Sequence, residues 1–255
     1  MGKTISVINQ KGGVGKTTSA VNLAAAVGMK GYKTLLIDID PQGNATSGFG
    51  INKRNIEISS YDILIHGEKA EKAVIETAFT NVSVIPSNIN LAGAEIELIE
   101  MKNREQNLKK AISLIKDKYD FIFLDCPPSL GLITINSLVA SDTVFIPIQC
   151  EFYALEGLSQ LISTVRQIKR LYNPLIEIEG ILLTMYDGRL NLTQQVVEEV
   201  KKFFPKKVYS SYIPRNVRIS EAPGYGQPVI YYDRKSKGSE AYLQLAEEFL
   251  KNNRM

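Results

Sequence analysis

The sequence predicts an α/β fold: a doubly wound, mostly parallel twisted sheet flanked by helices, expected as a single P-loop domain over residues 1–255. Three observations predict it. Apolar runs of strand length recur with helix-length patterns between them. Several runs are continuously apolar, among them Leu35-Leu36-Ile37, Phe121-Ile122-Phe123-Leu124 and Val144-Phe145-Ile146, which suits strands covered on both faces. The first run, Thr4-Ile5-Ser6-Val7-Ile8, enters a Gly-rich turn that leads into a helix-like stretch, 18–26.

In chain order, strands are expected at 4–9, 34–38, 82–86, 121–125, 142–148, 178–185 and 208–212. Helices are expected at 18–30, 90–100, 105–118, 131–140, 156–172, 191–204 and 238–252. The first and second strands bracket the helix that follows the Gly-rich turn. Residues 51–80 are the least readable and suggest small helices. Each later strand is separated from the next by helical spacing, so right-handed βαβ units follow, with ligands at the carboxyl ends of the strands. No internal repeat, low-complexity tract or linker stands out.

A chain of 255 residues can bury a substantial core, and 44% hydrophobic with 22% charged residues is ordinary globular composition. No apolar run reaches the ~18 residues of a membrane span, and the start of the chain lacks a signal-peptide pattern. The two cysteines, Cys126 and Cys150, form neither a disulfide framework nor a C-x-x-C pair, which fits a reducing, cytoplasmic setting. Charge is uneven. Residues 201–237 hold nine Lys/Arg (Lys201, Lys202, Lys206, Lys207, Arg215, Arg218, Arg234, Lys235, Lys237) against Glu221 and Asp233, a bias that suits a polyanion partner.

Residues 11–18 carry the most chemistry: Lys11, Gly12, Gly13, Val14, Gly15, Lys16, Thr17, Thr18. Between a strand and a helix this is a phosphate-binding loop. The glycines let successive N–H groups converge on phosphate oxygens, and the helix N-terminus adds its positive end. Lys16 can reach the β- and γ-phosphates, and the Thr17 hydroxyl can ligate Mg²⁺. An ordinary loop of this type begins with Gly. Here Lys11 takes that place, and two lysines so close repel unless a strong anion lies between them. Lys11 therefore reaches a phosphate in its own subunit or in a partner's.

Two apolar strands end in acids. Asp38 and Asp40 alternate at the first, so both can point toward the phosphates. Asp125 closes Phe121-Ile122-Phe123-Leu124 in the form of a Walker B site. Such acids hold Mg²⁺, directly or through water, or orient an attacking water, which makes Thr17, Asp40 and Asp125 the candidate metal set. His66 is the only histidine, so proton work falls to carboxylates or water. Guanine readers use N-K-x-D, and Asn52-Lys53-Arg54-Asn55 lacks the Asp, so ATP with Mg²⁺ is the expected nucleotide.

Over nearly its whole length the chain resembles ParA-type partition ATPases of the deviant Walker A ParA/MinD superfamily, nearest the chromosomal Soj group. The matching pieces are K-G-G-V-G-K-T-T (11–18), D-x-D-P-Q-G-N (38–44), D-x-P-P-S (125–129), T-M-Y-D (184–187) and I-P-R-N-V-R-x-x-E-A (213–222). The resemblance implies catalytic roles for Lys11, Lys16 and Asp40, with Asp40 acting on the hydrolytic water and Lys11 crossing to the other subunit's nucleotide. It implies adenine contacts from Met185, Pro214, Arg215 and Asn216, and DNA contacts from Arg189 and Arg218. A competing reading makes Arg215 and Arg218 nucleotide-site or packing residues. It further implies a homodimer in the ATP state that binds double-stranded DNA non-specifically and associates with the nucleoid. Hydrolysis is slow and is stimulated by a ParB-type partner. The alternative is MinD-like membrane cycling. That needs a basic amphipathic tail, whereas this tail carries Glu240, Glu247 and Glu248 against Lys251 and Arg254, so no stable membrane association is expected. An electron-transfer protein with a cluster on Cys126 and Cys150, and a metabolite kinase, fit the residues less well.

Overall fold

The computed structural model describes residues 2–151 and 153–253. Among these residues eight strands form one sheet: β1 Lys3–Val7, β2 Thr34–Asp38, β3 Ile75–Glu76, β4 Val82–Ile85, β5 Phe121–Asp125, β6 Thr143–Gln149, β7 Glu177–Tyr186 and β8 Val208–Pro214. Their order is β3-β4-β2-β5-β1-β6-β7-β8, parallel throughout except for β3, which runs antiparallel at the edge. The seven expected strands are present. The two-residue edge strand β3 is an addition, too short to show a period of its own.

β5 slots between β1 and β2 with Val7, Asp38 and Asp125 in register. Both strand-end acids thus stand at one level beside the loop leaving β1. The strand order reverses around β1, the place where a doubly wound sheet opens a crevice.

Among the described residues twelve α-helices flank the sheet: α1 Lys16–Met29, α2 Asn44–Gly48, α3 Ser60–Ile65, α4 Ala70–Ala73, α5 Ala94–Glu100, α6 Asn107–Ser113, α7 Leu132–Ala140, α8 Ala154–Leu171, α9 Asn191–Phe203, α10 Val217–Glu221, α11 Val229–Tyr232 and α12 Lys237–Asn252. One buried cluster joins α1, α11 and α12 to a sheet face through Leu23, Val27, Phe123, Phe145, Val229, Tyr242 and Phe249. The other joins α3 and α5 to α9 to the opposite face through Leu64, Leu98, Ile112, Leu138, Leu161 and Val196.

Where expectation and structure differ, local causes are visible. The helix expected at 105–118 breaks into a turn at 104–106, α6, and a second turn at 116–118. Leu108, Ile112 and Ile115 are all buried, and Lys116 is held by Asp142 at 2.6 Å, which bends the chain toward the sheet. In the unreadable 51–80 stretch, α3 is started by a capping box in which Ser59 and Asp62 exchange hydrogen bonds.

The tail helix α12 docks on the core. Tyr242, Leu245, Ala246 and Phe249 are fully buried, and Phe249 meets Phe121 and Phe123 at ring-centroid distances of 5.1 and 5.6 Å. Its acidic side is also used: the Glu248 carboxylate accepts from Ser210 N (2.7 Å) and Ser211 N (2.8 Å) on edge strand β8. That occupies donors an edge strand otherwise exposes. Arg254, part of the tail charge reading, lies outside the described residues. Among the described residues no helix is long and apolar enough to cross a membrane.

Replacing Phe249 by Ala removes a ring from a filled site and is expected to cost about 3–5 kcal/mol, read as a lowered urea midpoint. A loss below ~1 kcal/mol would mean that α12 is only loosely docked.

Candidate nucleotide site

The loop after β1 is shaped by its glycines. Gly13 and Gly15 sit at φ +75° and +84°, a left-handed conformation that side chains disfavour. A Cβ placed on Gly12 or Gly13 would meet nothing within 4 Å, so the loop rims open space. Its frame is fixed from outside. Asn9 Nδ2 donates to Pro147 O (2.8 Å), Asn9 Oδ1 accepts from Lys11 N (3.0 Å), and the Thr184 hydroxyl lies 2.8 Å from Val14 O and 3.0 Å from Ile148 O.

Lys16 is the first residue of α1 and is buried, its ammonium donating to Lys11 O at 2.8 Å. Burial lowers its proton affinity, while Asp125 and Asp40 act the other way. Thr17 and Thr18 follow in the first turn of the helix. The Lys11 ammonium turns away from Lys16 and pairs with Glu151 near the start of α8; its side chain stays 42% exposed. In this structure Lys11 does not enter the loop it begins.

The three acids have different surroundings. Asp38, fully buried, accepts from Thr46 N and Thr46 Oγ1 at 2.7 Å and from Asp40 N at 3.2 Å. Burial still raises its pKa, against these hydrogen bonds. The expectation that Asp38 and Asp40 both face the phosphates is corrected here: Asp38 is consumed in holding the 40–46 loop. β2 ends at Asp38, so the alternation that was to align the two acids stops before Asp40. Asp40 accepts from Gln42 N through Oδ1 (2.9 Å) and is buried, with a slight exposure of 7%.

Asp125 is fully buried, and neither carboxyl oxygen has a hydrogen-bond partner of good geometry among the described residues. Its pKa is driven well up, first by burial and then by Asp38; the Thr17 hydroxyl and Lys16 oppose the rise. Buried acceptors are rarely left so, and this one suits a cation shell. No group of three or more His, Cys, Asp or Glu positioned for a metal occurs among the described residues. Mg²⁺ needs none, because it is usually held by one or two carboxylates plus phosphate oxygens. The residues present therefore fit magnesium with a polyphosphate.

Beside the loop opens a cavity of about 450 Å³. Gly15, Thr18, Thr184, Met185, Pro214, Arg215 and Asn216 line it together with Ile213, Val217 and Tyr242. The four residues named for the base thus come together in one cavity. Met185 holds φ +48°, strained for a side-chain-bearing residue, at an irregular point of the β7–β8 pairing. Asn216 caps α10, its Oδ1 accepting from Arg218 N (3.0 Å) and Ile219 N (3.3 Å). Ile213, Val217 and Tyr242 were missed by sequence reasoning; the first two fall inside the quoted 213–222 motif, which was the available signal.

Arg189 and Arg218 stand apart from this cavity. Arg189 is 89% exposed and grips Asp187 with two nitrogens, at 2.9 and 2.6 Å. Arg218 pairs with Glu221 (2.8 Å) and Asp233 (3.3 Å). Of the two arginines in the competing reading, Arg215 lines the cavity and Arg218 does not. Cys126 lies in the core, where burial pushes its thiol up to about 12, and Cys150 is half-buried.

A glycine loop, a buried lysine at a helix start and acids at the ends of neighbouring parallel strands define a P-loop nucleotide-binding protein. A family model described as an AAA domain matches residues 2–178. The sporulation initiation inhibitor protein Soj of Bacillus subtilis is 57% identical, over 99% of this chain and 100% of its own. The chromosome partitioning protein ParA of Myxococcus xanthus is 50% identical, over 99% of this chain and 89% of its own. Among solved structures, cobyrinic acid a,c-diamide synthase of Mycobacterium smegmatis with bound ADP and magnesium aligns with a TM-score of 0.86 at 33% identity, covering 98% of this chain and 95% of its own. The chain belongs to the ParA/Soj family of partitioning ATPases.

Thr46→Val removes the hydroxyl between Asp38 and Ser87. The expected loss is about 1–3 kcal/mol, the cost of leaving the buried Ser87 N–H without its acceptor while Asp38 loses one of its donors, with Thr46→Ser close to wild type. Equal urea midpoints for Val and wild type would show that this contact does not hold the loop.

Proposed function

We propose that the chain is an ATP-driven switch for DNA segregation: a magnesium-dependent ATPase whose ATP-bound dimer binds DNA without sequence preference and lets go after hydrolysis. One observation carries the nucleotide part, the buried carboxylate of Asp125, which has no hydrogen-bond partner of good geometry among the described residues and sits at the foot of an open glycine cradle. Magnesium held by Thr17 and Asp125, partly through water and with support from Asp40, supplies positive charge to the phosphate oxygens when bound. Lys16 exchanges its bond to Lys11 O for the β- and γ-phosphates. The N–H groups of residues 12–18 cradle the same oxygens, and the base lies against Met185, Pro214, Arg215 and Asn216. The Asp40 carboxylate, half-engaged by Gln42 N, orients the attacking water. Phosphoryl transfer needs this positioning and charge more than covalent help.

Lys11 makes the site a switch. Released from Glu151, it reaches the triphosphate of a second copy, so the charge clamp is complete only when two chains meet face to face. Turnover is then slow, and a ParB-type partner accelerates it. DNA affinity comes from exposed cations. Arg189, Arg218 and the other basic residues of 201–237 are solvent-facing, and dimerisation doubles their number. The ATP form therefore collects on the nucleoid. The docked α12 speaks against the membrane-cycling alternative, since its apolar face is already spent on the core.

Co-sedimentation with duplex DNA should occur with ATP and not with ADP or without nucleotide, and anionic liposomes should pellet nothing. Removing Arg189 and Arg218 as Ala deletes four cations per dimer, lowering the salt slope of log K by roughly 3–4. An unchanged slope places the DNA surface elsewhere. Separately, Asp40→Ala should bind ATP and remain dimeric in light scattering while hydrolysis stops; a variant monomeric in ATP contradicts the role given to Asp40.

A further inference from the structure

The two arginines assigned to DNA are both occupied within the chain. Arg189 meets the Asp187 carboxylate through Nε (2.9 Å) and Nη2 (2.6 Å), the parallel two-bond geometry in which a guanidinium also takes a phosphate. These bonds hold the pKa of Asp187 down at about 2, so the pair stays ionised. Arg218 has two acids: Glu221, one turn along α10, at 2.8 Å, and Asp233, beyond α11, at 3.3 Å. Two cations thus face three carboxylates, and the local charge is negative where a DNA surface calls for positive. The neighbouring cations differ. Arg234, Lys235 and Lys237 are exposed and form no ion pair among the described residues.

Both clamps belong to segments that wall the nucleotide cavity. Asp187 lies two residues beyond Met185, and the charge of Arg215, a lining residue, also acts on its carboxylate. α10 gives Val217, Ile219 and Ser220 to the cavity and carries Arg218 and Glu221, neither of which lines it. A nucleotide filling the cavity therefore bears on both segments. Exposed ion pairs hold weakly, so a small shift of either segment opens its clamp.

We infer that Asp187, Glu221 and Asp233 are built-in stand-ins for DNA phosphates, which close Arg189 and Arg218 to DNA in the nucleotide-free chain and release them when the cavity fills. The DNA role of the arginines rests on the function proposed above; their masking rests on the ion pairs.

Amide variants remove the charges and keep the local hydrogen bonds. Asp187→Asn retains an acceptor for Arg189 N, Asp233→Asn one for Lys235 N, and Glu221→Gln one for the Tyr232 hydroxyl. With labelled duplex DNA and no nucleotide, anisotropy should show the triple variant binding at least tenfold more tightly than wild type. Its salt slope of log K should be steeper by roughly 2 per chain, one contact for each arginine freed. With ATP the gain should fall below threefold. With Arg189→Ala and Arg218→Ala added, the gain should vanish.

A gain that survives loss of the arginines is a general effect of charge and overturns the inference. So does an equal gain with and without ATP, or no gain at all. Circular dichroism checks folding; should the triple variant lose structure, Asp187→Asn alone repeats the comparison against Arg189→Ala. Retention on heparin, a polyanion outside the proposed role, is the second readout. The nucleotide-free triple variant should elute at higher salt than wild type, and only while the arginines are present. If wild type with ATP fails to bind duplex DNA, the proposed function falls, and the heparin comparison still decides whether the arginines are masked.

Discussion

Three carboxylates, Asp38, Asp40 and Asp125, are buried around a single buried ammonium, that of Lys16. Burying charge without a partner is costly, and one cation does not balance three acids. The sheet imposes the crowding, because register sets Asp38 beside Asp125 on neighbouring strands. The protein answers it unequally. Asp38 receives three hydrogen bonds and becomes structural, whereas Asp125 has none of good geometry among the described residues. A cation and a polyphosphate complete what the fold leaves open, so ligand binding and local stability are linked at this site.

The loops around the site inherit this arrangement. The Asp38–Thr46 contact holds the Asp40 loop from behind, while Asn9 and Thr184 hold the glycine loop from the side of β6 and β7. Fixed glycine-loop donors suit a site that works by positioning charge. The Asp40 loop has its anchor at Thr46, several residues from Asp40 itself. That spacing leaves the acid proposed to orient water on a tethered segment.

Much of this was legible in the amino-acid sequence, for identifiable reasons. Buried parallel strands read as unbroken apolar runs, and all seven expected strands occur. The glycine loop reads directly because its spacing serves one chemistry. Asp38 was misread because a period-two argument holds only while the strand lasts, and β2 ends there. The helices α2, α10 and α11, of four or five residues, are too short to display a period, and their ends are set by contacts such as Asn216 with Arg218 N and Ile219 N. The in-chain partners of Arg189, Arg218 and Lys11 lie in side-chain geometry that composition does not encode.

That geometry bears on how the two lysines of the loop divide their work. Lys16 is buried among acids, and moving it would leave them uncompensated. Lys11 is held by a partly exposed pair with Glu151, a kind of contact worth about 0–1 kcal/mol. Freeing Lys11 is therefore cheap, and a triphosphate offers it several anionic oxygens in place of one carboxylate. Within one chain its ammonium is turned away from the Lys16 site, which is why the proposed function sends it across an interface to another copy's nucleotide. In the switch proposed above, a residue so inexpensive to release is what couples nucleotide binding to assembly without any large rearrangement of the core.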